Sequence, residues 1–170
     1  MVASVTFGDV HAAEMDKWVR ERCWGHGGMV DELRPRLQFL HDVFSMRSRS
    51  HHEADDPHAR FRKHVEEEET VEGEVQVTAD FLSEAHRDFC ETVVVPSNHD
   101  RHLTTWLKRE DYRDDPVNAV YFLQLQLETY RAIERGDRDF NVLEWALRRS
   151  GCPKTVRFLG QDESYVVHGV

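Results

Sequence analysis

The run Glu91 to Val95, Glu-Thr-Val-Val-Val, closed by Pro96, constrains the fold more than any other stretch of this chain. Consecutive β-branched side chains leave no polar face for water, so the strand they form is buried on both sides, the habit of strands in parallel sheets. Proline cannot donate to a ladder and ends it. Two earlier runs have strand character: Val2 to Phe7, stopped by Gly8-Asp9, and Arg36 to His41. Two later ones are Thr155 to Leu159 and Ser164 to Val167.

Between these runs the apolar spacing turns helical. Val71, Val75, Ala79 and Leu82 share one helical face, with Glu66 to Glu69 as a solvated lead-in. Asp115 as N-cap, Pro116 at the first helical position, the stripe Val120, Leu123, Leu127 and Tyr130, and Gly136 past the end predict a helix with both termini signalled. Phe140 to Arg149 predicts another. Arg47 to Pro57 is polar and aperiodic, which predicts a long loop, and Trp24 to Gly28 predicts a flexible loop after the first helix. Trp18, Trp106 and Trp145 fall on helical stretches as core or interface aromatics. Strands alternating with helices over 170 residues predict one α/β layered domain with right-handed crossovers.

Composition narrows the function. Lys and Arg total 22 against 32 Asp and Glu, a net charge of −10, so no general cationic field draws in phosphate backbones and any phosphate chemistry must be local. Cys23, Cys90 and Cys152 form no C-x-x-C pair, which argues against a disulfide framework or a cysteine zinc site. No apolar stretch approaches a membrane span and Met1 to Phe7 lacks the features of a signal peptide, so a cytoplasmic protein without a membrane partner is expected. Neither G-K-[ST] nor G-x-S-x-G is present, which removes P-loop and serine-hydrolase chemistry.

Histidine is the unusual residue, with 11 in the chain, and its placement is informative. Gly8-Asp9-Val10-His11 follows the first strand, His41-Asp42 the second, Ser97-Asn98-His99-Asp100 the third, and His168-Gly169 the last. Ligands of open α/β sheets bind at the carboxyl ends of the strands, so these loops are expected to converge on one crevice. Carboxylate, imidazole and amide donors together suit Mn²⁺, Fe²⁺, Zn²⁺ or Ni²⁺.

In this order, G-D-x-H, an x-D-x-x-x motif, S-N-H-D and H-G resemble the calcineurin-like metallophosphoesterase superfamily. The string Val93 to Leu103 is most similar to a branch common in bacteriophage genomes. The resemblance implies a layered metallophosphoesterase sandwich with two divalent ions over the strand ends, where an activated water attacks a phosphomonoester or phosphodiester, with nucleic acid or a nucleotide as substrate. It further implies that Asp9 and His11 bind the first ion, Asp42 bridges both, and Asn98 and His168 bind the second. His99 would protonate the leaving oxygen or steady the transition state, with Asp100 orienting its ring. Read from the residues themselves, Arg47, Arg49 and Arg101 flank this site and are candidates to hold a substrate phosphate, Arg101 foremost.

Two departures qualify these expectations. The family's second motif is typically G-D-x-x-D, whereas here it is His41-Asp42-Val43-Phe44-Ser45, which keeps the bridging acid but lacks the glycine and the second acid. The closing G-H-x-H motif does not follow His168, so the domain is expected to be incomplete at its C-terminus. The rival expectations are a non-catalytic half-domain that needs a complementing C-terminal polypeptide, and a structural metal-binding or interaction module.

Overall fold

The computed structural model describes residues 2–50 and 56–167, with the Asp100 side chain excepted. Among the described residues, four parallel strands form one sheet in the order β1 (Ser4–Phe7), β2 (Leu37–His41), β3 (Glu91–Val95) and β4 (Arg157–Phe158). The helices are α1 (Lys17–Trp24), α2 (Met29–Leu33), α3 (Pro57–Val65), α4 (Val71–Ala85), α5 (Asp100–Arg109), α6 (Ala119–Glu134) and α7 (Val142–Arg149), with a single 3-10 turn at Arg47–Arg49. The chain is thus a mixed α/β protein built on a parallel sheet.

Strand order follows chain order without reversal. Right-handed crossovers that always step the same way place their helices on the same face of the sheet. The core shows this asymmetry. Leu40 and Val94 pack into one large cluster with Trp24, Val30, Phe81, Leu82, Leu103, Trp106, Leu125 and Leu147 from the helices. Leu37 and Val93 turn to the other face, where Leu159, Tyr165 and Val167 of the C-terminal segment cover them. Thr92, Val93 and Val94 are all buried, which is why this strand reads as an unbroken β-branched run.

A buried glutamine ties the sheet to its helices. Gln38, fully enclosed on β2, accepts from Trp24 Nε1 at 3.0 Å and donates to the Ala85 carbonyl at 2.7 Å and to Thr92 Oγ1 at 2.9 Å. Trp24 is therefore the buried last residue of α1, not part of a flexible loop, and Gly25 to Gly28 form the turn into α2.

The helix expected to start at Pro116 starts at Ala119 instead, because Asp115 and Asn118 have other partners. Asp115 binds the Arg49 guanidinium through two hydrogen bonds of 2.6 Å, and Asn118 Oδ1 accepts from Val71 N at 2.8 Å, capping α4. The stripe Val120, Leu123, Leu127 and Tyr130 is exposed, while Phe122, Leu125 and Ala132 of the same helix are buried. Both faces of α6 are apolar, so periodicity alone did not choose between them. Ser164 to Val167 is not a strand; Tyr165 crosses the sheet, its ring 5.4 Å from that of Phe39 and its hydroxyl donating to Glu91 Oε2 at 2.7 Å. Of the expected long loop, Arg47–Arg49 form the 3-10 turn and Pro57 begins α3, while residues 51–55 lie outside the described residues. Trp18 is 70% exposed and lies outside the core, whereas Trp106 is buried. Cys90 and Cys152 are buried free thiols, each pushed up to about 11 by burial. Among the described residues, no helix is long and apolar enough to cross a membrane.

Candidate metal centre

The strand register puts three ligand-bearing loops side by side. Phe7 pairs with Leu40 and Leu40 with Val94, so β1, β2 and β3 reach their carboxyl ends at one level. Asp9, Asp42 and Asn98 follow within a few residues of that level. The loops after β1 and β2 continue to pair beyond the strands: Val10 N donates to the His41 carbonyl at 3.2 Å, His11 N to the Asp42 carbonyl at 2.8 Å, and Ala12 N to the Val43 carbonyl at 3.1 Å. Val10, Ala12, Val43 and Phe44 are buried beneath them. This alternation directs the apolar residues into the core and leaves Asp9, His11 and Asp42 at the surface of the sheet's end.

The backbone there is unusual. Asp9, His11 and Asp42 have φ of 48°, 40° and 54°, in the left-handed region that non-glycine residues occupy at a cost of about 1–3 kcal/mol each. Such conformations persist where the surrounding structure fixes them, and they concentrate at functional sites.

Unpartnered polar atoms concentrate here too. Among the described residues, the buried side-chain atoms without a hydrogen-bond partner are His11 Nδ1, Asp42 Oδ1, His99 Nδ1 and His86 Nδ1, and the first three belong to these loops. A buried acceptor left unpaired costs roughly 1–3 kcal/mol, more when charged, and a cation would satisfy both a carboxylate oxygen and an imidazole nitrogen. The donors therefore fit a divalent cation in kind. They are not drawn into a closed sphere: among the described residues, no three His, Cys, Asp or Glu side chains form a group able to hold a metal ion. The Asp9 side chain is 89% exposed, with Oδ1 3.9 Å from His11 Nε2, and Asn98 is exposed at the turn before α5.

His99 leads into α5, and its ring meets that of His11 edge-on at 4.7 Å. It also meets His102, one helical turn on, at 5.0 Å. His102 has no role in the resemblance, although its i, i+3 spacing from His99 was visible in the sequence. It also lines a cleft of about 880 Å³ whose walls include Met46, Ser48, Arg49, Trp106 and Asp115. The cleft thus opens beside the histidine cluster.

Other expected residues are placed less centrally. Arg101 stands exposed in the first turn of α5, its amide donating to the Asn98 carbonyl at 3.3 Å. Arg47 pairs with Glu68 at 2.9 Å and Arg49 with Asp115, so both guanidinium groups are engaged by carboxylates. Burial alone would push the Asp115 carboxyl up. Hydrogen bonds from Arg49 and Asn118 and the Arg49 charge outweigh it and hold the group below the usual range. His168 and the side chain of Asp100 lie outside what the structure describes.

No protein-family model matches the chain, and no solved structure matches it. The chain is 36% identical to Protein A1 of Escherichia phage T5 over 175 residues, an alignment that takes in 99% of this chain and 32% of that protein. The chain therefore spans about a third of the length of this curated relative, whose name states no activity.

Proposed function

We propose that this chain is a metal-dependent phosphoesterase domain of the calcineurin-like type, with a layered sandwich arrangement, acting on a phosphomonoester or phosphodiester such as a nucleotide or nucleic acid. One observation carries the reading: three adjacent parallel strands end in Asp9-x-His11, Asp42 and Asn98-His99, with buried unpartnered atoms on Asp42, His11 and His99. The phage relative agrees with the phage-type character of the Val93 to Leu103 string.

In this reading Asp9 and His11 would hold one divalent ion, Asn98 and His168 would hold a second, and Asp42 would serve as a ligand to both. Mn²⁺, Fe²⁺, Zn²⁺ and Ni²⁺ all suit such donors. When bound, the ions supply Lewis-acid polarisation of the phosphoryl group and an acidified water as nucleophile. The chain's own contribution is positional and acid–base. The paired loops 10–12 and 41–43 hold His11 and Asp42 at a fixed separation. His99 Nδ1 is sealed from solvent, which leaves Nε2 to give its proton to the leaving oxygen. Ring contacts with His11 and His102 orient His99, while exposed Arg101 offers a guanidinium to a non-bridging phosphate oxygen.

The test is metal analysis together with hydrolysis of bis-p-nitrophenyl and p-nitrophenyl phosphate in Mn²⁺, comparing the chain with Asp42→Asn. The variant is expected to lose metal and turnover together. Equal metal content and rate in the two proteins would remove the proposal.

A second reading is favoured by the face of the sheet on which no helix packs. Helices pack on one face, and the other is covered by the segment around Leu159 and Tyr165. Parallel sheets are ordinarily covered on both faces. A complementing C-terminal polypeptide that packs there and adds metal ligands would make the chain a half-domain, inactive by itself. Activity that appears only in a 1:1 complex with a second chain would support this reading over the first.

A further inference from the structure

Resting on the metal-centre reading above, we infer that Glu74 is a positioning residue for Asp42, supplying from α4 the second acid that the His41 to Ser45 motif lacks.

Ser45 stands three residues after Asp42, where the resembling motif carries its second acid. Its hydroxyl donates to Glu74 Oε1 at 3.1 Å, so a carboxylate does reach this position, delivered from another element. The same oxygen accepts from Arg47 N at 2.9 Å. Oε2 accepts from Ser48 N at 2.9 Å and from Ser48 Oγ at 2.7 Å. Glu74 is only 7% exposed, and all four of these bonds go to residues 45–48. Charge-assisted bonds to a buried carboxylate are among the stronger ones a protein makes.

What this clamp fixes is the exit from Asp42. On the entry side Asp42 is held by β2, where His41 pairs with Val95. On the exit side Val43 and Phe44 are wholly buried, and the chain then turns through Met46 at φ 58° into the 3-10 turn. Without Glu74 the amides of Arg47 and Ser48 at the start of that turn would lose their acceptor, and the exit segment would lose its tie to α4. A carboxylate at this place therefore orients the ligand-bearing loop without touching a bound ion. Outer groups of this kind typically contribute 10–100-fold to metal affinity or activity.

Titration of the full chain with MnCl₂ by calorimetry tests the assignment, alongside thermal unfolding. Glu74→Gln keeps the shape but turns one acceptor into a donor facing an N–H or O–H; Mn²⁺ affinity is expected to fall about 10–100-fold. Adding Ser45→Asp to that variant returns a carboxylate to the position and is expected to restore most of the affinity. Ser45→Ala, which removes one bond, is expected to weaken binding less than Glu74→Gln. A folded Glu74→Gln protein with parental affinity overturns the inference, as does a double variant no better than Glu74→Gln alone, which would assign Glu74 to folding only. If Glu74→Gln does not fold, Ser45→Ala decides, and unchanged affinity there overturns it. Asp42→Asn separates the two levels. Parental affinity in Asp42→Asn sinks the metal-centre reading itself, whereas loss in Asp42→Asn with retention in Glu74→Gln sinks only the role given to Glu74.

Discussion

The amide of His11 donates to the carbonyl of Asp42 at 2.8 Å, so two loops that leave different strands act as one hydrogen-bonded unit at the end of the sheet. Both residues adopt left-handed φ, and each has a buried side-chain atom without a partner. A protein that only needed to fold would gain by removing those features. On the proposed metal-centre reading, a bound cation would offset that cost.

That reading gives a stability prediction of unusual sign. Asp42→Asn preserves the shape but removes a charge whose Oδ1 is buried and unpaired. In metal-free buffer the variant is expected to be more stable than the parent by about 1–3 kcal/mol, a rise in Tm of at least about 2 °C for a chain of this size. Mn²⁺ at 1,000 times its Kd is expected to reverse the order, since it adds about 4.1 kcal/mol to the parent alone. Thermal unfolding with and without Mn²⁺ measures both. A variant less stable than the parent in metal-free buffer would show that Asp42 is structural.

His99 should separate chemistry from binding. Its ring contacts those of His11 and His102 at 4.7 and 5.0 Å, and proton transfer is the role proposed for it. His99→Ala is expected to keep Mn²⁺ affinity near the parental value while turnover of bis-p-nitrophenyl phosphate falls about 10²–10⁴-fold. Loss of the metal in this variant would overturn the role.

Much of this arrangement was legible because its signals are local. The β-branched run ending at Pro96 gave β3 its observed bounds, Glu91–Val95, and the Asp9 and Asn98 clusters fall just past strand ends as expected. What stayed hidden depends on partners distant in sequence. Asp115 and Pro116 look like a helix start, but Asp115 is taken by Arg49, 66 residues away, and the cap moves to Asn118. Tyr165 has strand propensity, yet its hydroxyl goes to Glu91 and the segment lies over the sheet. Glu74 looks like an ordinary acid in the first turn of α4; its four bonds to residues 45–48 have no signature in spacing.

Gln38 predicts where the fold is most fragile. Truncation by Gln38→Ala strands Trp24 Nε1, the Ala85 carbonyl and Thr92 Oγ1 in a dry interior and opens a cavity under α4. Unpaired groups cost roughly 1–3 kcal/mol each and partial collapse recovers some of the loss, so a destabilisation of about 3–5 kcal/mol is expected. Urea unfolding reads it. A change below about 1 kcal/mol would mean that water replaces the amide at no cost.

The Arg49–Asp115 pair predicts how the cleft wall responds to acid. The two side chains are 22% and 14% exposed, and the folded Asp115 carboxyl sits below its ordinary 3.8. A depressed carboxyl contributes stability that is fully present above its unfolded value and is lost as pH falls through the folded one. Asp115→Asn is therefore expected to cost about 3 kcal/mol at neutral pH, the low end for a buried pair because both partners keep some solvent. The gap between parent and variant should narrow as pH drops below about 4, when the parent's carboxyl begins to protonate. Asp31 and Asp111 are also held low, chiefly by hydrogen bonds from Arg87 and Arg113, so the variant keeps some acid sensitivity and only the difference between the two curves isolates Asp115. Urea unfolding from pH 7 down to about pH 3 supplies that difference. A gap that stays constant across the range would show that the side chain acts through packing with Asn118 and Val71 rather than through its charge.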